Sequence, residues 1–244
     1  MKSIKALSAL LLLALLLGAC SSTPGNKPSR TKTAADEGPV AAAGASILPP
    51  GPVLPNPYMH NKPALGRQLV QRFEQATSAM RNKQWAQAET LLQQVIAENP
   101  KLSGAYLNLG FVYRAQNDTA RAEQAFTRAI EVNHTNLDAY NALALLQREK
   151  GEFAAAESNY RKALSVWPWH PESHKNIAIL YDLYMGKQQE ALPHYEAYQQ
   201  LVGDNDKQVN SWIADLQRRL GITPKPKAAP TVAEPVAEEP VDEN

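Results

Sequence analysis

Ser103–Asn136 reads SGAYLNLGFVYRAQNDTARAEQAFTRAIEVNHTN, and Leu137–His170 reads LDAYNALALLQREKGEFAAAESNYRKALSVWPWH. Laid over each other at a step of 34 residues, Tyr106 meets Tyr140, Leu109-Gly110 meets Leu143-Ala144, Ala122 meets Ala156, Phe126 meets Tyr160 and Ala129 meets Ala163. The step continues outward. Ala76 and Ala178 join the small column, Gln75 and Ile177 the one before it, and Ala88, Leu92 and Val95 extend the others upstream. Pro100 and Pro168 stand two steps apart, with His134 in the matching place between them. Columns alike in size and polarity at one period are the signature of a repeat array. The residues between them are mostly Ala, Leu, Gln and Glu, which favour helix. Each unit therefore reads as two antiparallel helices that cannot bury their apolar faces alone. Ala76, Gly110, Ala144 and Ala178 let the first helix approach the second, and Ala88, Ala122 and Ala156 do the same from the other side. Pro100 and Pro168 end the second helix. Pro193 falls early in its helix, where a missing amide costs least.

This pattern resembles the tetratricopeptide repeat (TPR): a large residue at position 4, Leu-Gly or Leu-Ala at 7–8, an aromatic at 11, Ala at 20, a large residue at 24, Ala at 27 and Pro at 32. Residues 103–136 and 137–170 match it closely, the second with Gly151 and Pro168 as well. Residues 69–102 form a weaker first repeat. A fourth, 171–205, keeps Ile177-Ala178 and Tyr181, then gains one residue near Met185-Gly186, which moves its second helix to Ala191, Tyr195 and Tyr198. Solenoid ends need a polar outer face. Residues 207–220 supply one, with Val209, Trp212, Ile213, Leu216 and Leu220 on one side, Gln208, Asp215, Arg218 and Arg219 on the other, and Gly221 as the stop. The expectation is an all-α protein: an α-solenoid of about four TPR helix pairs with a C-terminal capping helix, occupying residues 64–221 between disordered arms.

The arms are read from composition. Most of the 18 prolines lie at or before Pro63 or after Thr223. Lys2 and Lys5 precede the apolar run Ala6–Leu17, too short to span a bilayer comfortably, so residues 1–19 read as a signal peptide. Leu17-Gly18-Ala19-Cys20 resembles the bacterial lipoprotein lipobox, which implies diacylation of Cys20, a third chain on the mature terminus, and durable anchoring. Ser21 follows where Asp would signal retention, which in a diderm implies the outer membrane, facing the periplasm. Residues 20–63 contain Pro49-Pro50-Gly51-Pro52 and few large apolar groups, and read as a disordered leash spanning about 35–40 Å root-mean-square. Residues 222–244, with Glu234, Glu238, Glu239, Asp242 and Glu243, read as a second disordered segment, either a solvating tail or an acidic interaction tail.

In the TPR family the first helix of each repeat lines a concave groove through positions 2, 5, 9, 12 and 13. The resemblance places Phe73, Leu107, Asn141 and Lys175 at position 5, and Thr77, Phe111, Leu145 and Ile179 at position 9. Arg114 and Arg148 border this row, as does Arg81. Such a stripe suits an extended or helical peptide; the alternative is that some of these side chains pack between repeats. The Lys and Asn of the subtype that clamps a C-terminal carboxylate are replaced by Phe73 and Thr77. A net charge of +1 gives no field for nucleic acid. His170 and His174 stand four apart but Pro171 intervenes, and no third ligand accompanies them. Trp167 and Trp169 read as repeat-junction packing. There is no phosphate loop and no nucleophile elbow. The expectation is a non-catalytic envelope scaffold or adaptor without cofactor or metal, in the manner of accessory proteins of TonB-type systems or of secretin and pilus assembly. The competing reading is a regulator of an envelope enzyme such as a peptidoglycan hydrolase or protease.

Overall fold

The computed structural model describes residues 46–60 and 64–223. The signal peptide, Cys20 and most of both arms lie outside the described residues. Among the described residues a single turn, α1 (Pro57–His60), precedes nine longer helices. They are α2 (Arg67–Arg81), α3 (Trp85–Glu98), α4 (Ser103–Ala115), α5 (Thr119–Val132), α6 (Leu137–Glu149), α7 (Phe153–Val166), α8 (Pro171–Ile179), α9 (Gln188–Val202) and α10 (Lys207–Arg219). No strand occurs among the described residues. α2–α3, α4–α5, α6–α7 and α8–α9 pack as consecutive pairs, and each pair packs on the next. The fold is the expected all-α solenoid of TPR pairs.

The turn inside each pair explains the period. The residue that must turn left-handed is Lys83 (φ 58°), then Asn117 (63°), then Gly151 (79°), at successive steps of 34; Gly186 (65°) follows after 35. The extra residue is absorbed as a π-helical turn, Leu180–Tyr184, in which the Met185 amide reaches back to the Leu180 carbonyl at 3.1 Å. One inserted residue widens one turn rather than breaking the helix. Helix starts are capped where the sequence provides a short acceptor. Asp118 accepts from the Arg121 amide at 2.9 Å, Asn136 from Ala139 at 3.2 Å and Asp206 from Val209 at 3.1 Å.

The small columns sit where helices touch. Ala76, Ala144, Ala178, Ala88, Ala122 and Ala156 are fully buried, in the same core clusters as the fully buried large residues Leu92, Phe126 and Tyr160. Beyond the fourth pair, α10 lays Val209, Ile213 and Leu216 against Tyr195 and its neighbours, with the Trp212 and Tyr195 rings 5.6 Å apart. Residues 46–60, in the stretch expected as leash, lie against the repeats and are taken up below.

Candidate functional site

Helices α2, α4, α6 and α8 are the first helices of the four pairs. Successive members of this set touch one another (α2 with α4, α4 with α6, α6 with α8), whereas the second helices make no contacts of similar extent with each other. A layer whose members crowd while the other layer spreads is the inner layer of a curved stack. The predicted row therefore sits on the inner layer.

Its members have different fates. Phe111, Leu145 and Ile179 are half-buried, with one side on the core and one side open. Phe111 meets Phe126 edge-on at 5.2 Å. Phe73 is half-buried against the first core cluster. The Thr77 hydroxyl donates to the Glu74 carbonyl of its own helix at 2.9 Å. Leu107, only 8 % exposed, belongs to the core cluster shared by the first three pairs and offers a ligand little.

Asn141 is equally buried. Its amide donates to Ser173 Oγ at 2.6 Å and to the Leu137 carbonyl at 3.1 Å, and its oxygen accepts from Asn176 at 3.2 Å. Ser173 in turn donates to His170 Nδ1 at 2.8 Å. Asn141 and Leu107 are thus joints between repeats rather than groove surface. A pattern match reports a position on a helix, not whether the next repeat covers it. Lys175 is pinned toward the cap, its ammonium 4.7 Å from the Tyr198 ring centre and 3.8 Å from Asp206.

The two arginines diverge. Arg114 pairs with Glu149, and both line a cleft of about 530 Å³ with Phe111, Ala115, Asn117, Thr119 and Leu146. Arg148 makes no ion pair among the described residues. Its guanidinium lies 5.2 Å from the Tyr184 ring centre, and its Nε and Nη1 are buried without a hydrogen-bond acceptor. Beside it the fully buried Tyr160 hydroxyl also lacks a partner. Burial pushes that phenol up to about 12, with the Arg148 charge pulling the other way. Leu183 (64 % exposed) and Tyr184 (46 %) stand at the same end of the row. Sequence reading missed both, because the π-turn re-aims them. The one-residue excess in the fourth repeat was the available signal.

The histidines do different work. His174, on α8, donates from Nε2 to the Pro168 carbonyl at 2.8 Å, which leaves Nδ1 to accept from His194 Nδ1 at 2.9 Å. Burial drives His174 down to about 4 and His194 to about 3, so both are neutral. No group of three or more metal-capable side chains occurs among the described residues. No helix of the described residues is long and apolar enough to cross a membrane.

Two tetratricopeptide-repeat family models match the chain, one over residues 79–146 and one over 137–166. Both describe a repeat and neither an enzyme. No curated protein matches the sequence. Among solved structures, a MamA protein is 16 % identical, with 65 % of this chain and 85 % of that one covered at a TM-score of 0.54. Pseudomonas aeruginosa pilF is 17 % identical, with 63 % and 69 % covered at 0.57. At these identities the likeness is one of fold.

Proposed function

We propose that this TPR array is a scaffold that holds an extended segment of a partner protein along its inner helices, and that Cys20 anchors it by lipid in the bacterial envelope, at the outer membrane facing the periplasm. The observation that carries the binding reading is Arg148, set in an apolar row without an ion pair among the described residues. Guanidinium N–H groups buried without an acceptor, as Nε and Nη1 of Arg148 are, are costly, and a carboxylate on a ligand relieves that cost. Tyr184 over it, with Leu145 and Ile179 along the same row, suits apolar residues flanking that carboxylate. Binding rather than turnover is the activity. Accessory roles in TonB-type energy coupling or in secretin and pilus assembly are the settings to test first.

The test is capture in the native host. Tagged full-length protein is crosslinked, purified from detergent and compared with Phe111→Glu/Leu145→Glu and with Arg148→Gln, circular dichroism confirming that each variant is folded. One envelope protein held by the wild type and lost from both folded variants is the expected result. Equal capture by all three would remove the inner row as the site. Incorporation of labelled palmitate that disappears in Cys20→Ala checks the anchor separately.

A further inference from the structure

Residues 46–60 run along the turns between repeats, in the direction opposite to the repeats themselves. The Ser46 hydroxyl donates to Gln200 Oε1 on α9 at 3.1 Å, at the fourth pair. Ile47 forms one wall of a cleft of about 330 Å³, whose other walls are Arg161, Leu164 and Ser165 of α7, Pro168, His174 of α8 and His194 of α9. Seven residues on, the Leu54 carbonyl accepts from Trp167 Nε1 at 2.9 Å, at the turn between the third and fourth pairs. Tyr58 then reaches the first turn of α4, where its hydroxyl lies 3.2 Å from the place a side chain on Gly104 would occupy.

The sequence suits this course. Pro49, Pro50, Pro52 and Pro55 restrict the backbone before docking, so less conformational entropy is lost on ordering. Gly51 takes a φ of 103°, a turn that side-chain-bearing residues rarely adopt. Trp167 needs an acceptor for its indole N–H, and an extended strand offers free carbonyls.

We propose that the cleft between α7, α8 and α9 is a docking site for the chain's own proline-rich segment, and that this strap makes the anchored arm leave from the fourth-repeat end of the array. The chain enters the repeats at α2, so an undocked leash would put the first repeat next to the membrane. With residues 46–58 held down, the arm starts at Ser46, beside α9. Only 26 residues, Cys20 to Ala45, then remain between lipid and array. The fourth repeat and cap become the membrane-proximal end, and the first repeat is presented outward. What the arm is attached to rests on the lipid-anchor reading above; docking of the strap does not.

Two measurements separate these parts. In the full chain, a photo-crosslinking benzoylphenylalanine replaces Ile47, and linked peptides are mapped by mass spectrometry. Links within the same chain to residues 161–168 or 174–194 are expected; their absence overturns the docking. For polarity, the mature chain (residues 20–244) is coupled through Cys20 to a maleimide lipid on phosphatidylcholine vesicles carrying a quencher lipid. A fluorescent amino acid is placed at Gln71 on α2 or at Gln208 on α10. Stronger quenching at 208 than at 71 is expected, with the difference lost in Ile47→Asp and in Gly51→Val. Equal quenching at both, or more at 71, overturns the polarity. Because the vesicle link is synthetic, failure of palmitate labelling would sink the natural anchor while leaving the crosslink to judge the strap.

Discussion

Gly110 shows how much one column of the repeat demands. A Cβ built there would lie 2.5 Å from Phe126 Cδ1. Phe126 is fully buried and held edge-on by Phe111. The neighbouring repeats carry Ala at this place, yet Gly110→Ala is expected to destabilise by roughly 1–3 kcal/mol, because the ring has nowhere to move. Urea unfolding followed by circular dichroism measures it. The reverse case is Lys83. It is exposed, and its φ of 58° puts a side-chain-bearing residue where the third repeat uses Gly151. Left-handed backbone costs such a residue about 1–2 kcal/mol, part of which glycine returns as unfolded-chain entropy. Lys83→Gly should therefore gain about 0.5–1 kcal/mol, seen as a rise in the thermal midpoint. Both residues could be placed in sequence by counting to 34. The crowding at Gly110 and the left-handed backbone at Lys83 came from the packed structure.

At the scale of elements, the junction of the third and fourth pairs differs from the others. It carries the Asn141–Ser173–His170 network, and just inside the fourth pair the neutral His174–His194 contact joins α8 to α9. The histidine pair makes a pH prediction. Both folded-state values lie below the ordinary 6.5, so the unfolded chain binds protons first as pH falls. Stability from this pair is present above pH 6.5 and is lost between 6.5 and about 4 for His174, and down to about 3 for His194. Within that window the fold weakens as pH falls, by at most about 1.4 kcal/mol per pH unit for each proton that the unfolded chain binds and the folded chain does not. A thermal-midpoint titration from pH 7 to 4 should fall steeply in the wild type and less steeply in His194→Gln. If the two slopes agree, the pair is not the source. Spacing alone had raised His170 and His174 as a metal pair and found no third ligand. What it could not show was that His194, from α9, completes a hydrogen bond, or that the π-turn would bring Tyr184 over Arg148.

For the whole molecule, the array needs an end. α10 covers apolar side chains of the last pair that would otherwise face water, and returns Asp215, Arg218 and Arg219 to the outside. Arg219 also pairs with Asp182 on the π-turn at 3.0 Å. Burying Val209, Ile213 and Leu216 is worth about 1.5–3 kcal/mol each before entropy. A chain ending at Val202 should therefore unfold at a lower temperature and self-associate. Light scattering beside a thermal melt checks both.

What the sequence determined by itself was whatever repeats: the 34-residue period, the paired helices, the small and large columns, the extra residue in the fourth unit, and the amphipathic cap. These are local patterns, because helix periodicity and nearest-neighbour stacking are the only long-range order a solenoid needs. Only the tertiary structure decided which inner-row residues are open. Leu107 and Asn141 occupy the same repeat position as Phe73, yet the adjacent repeat covers them. It also decided that, among the described residues, Arg148 has no ion pair while Arg114 has one, and that a proline-rich stretch lies beside His174. Those outcomes depend on which side chains from distant elements meet, and neither composition nor period encodes that.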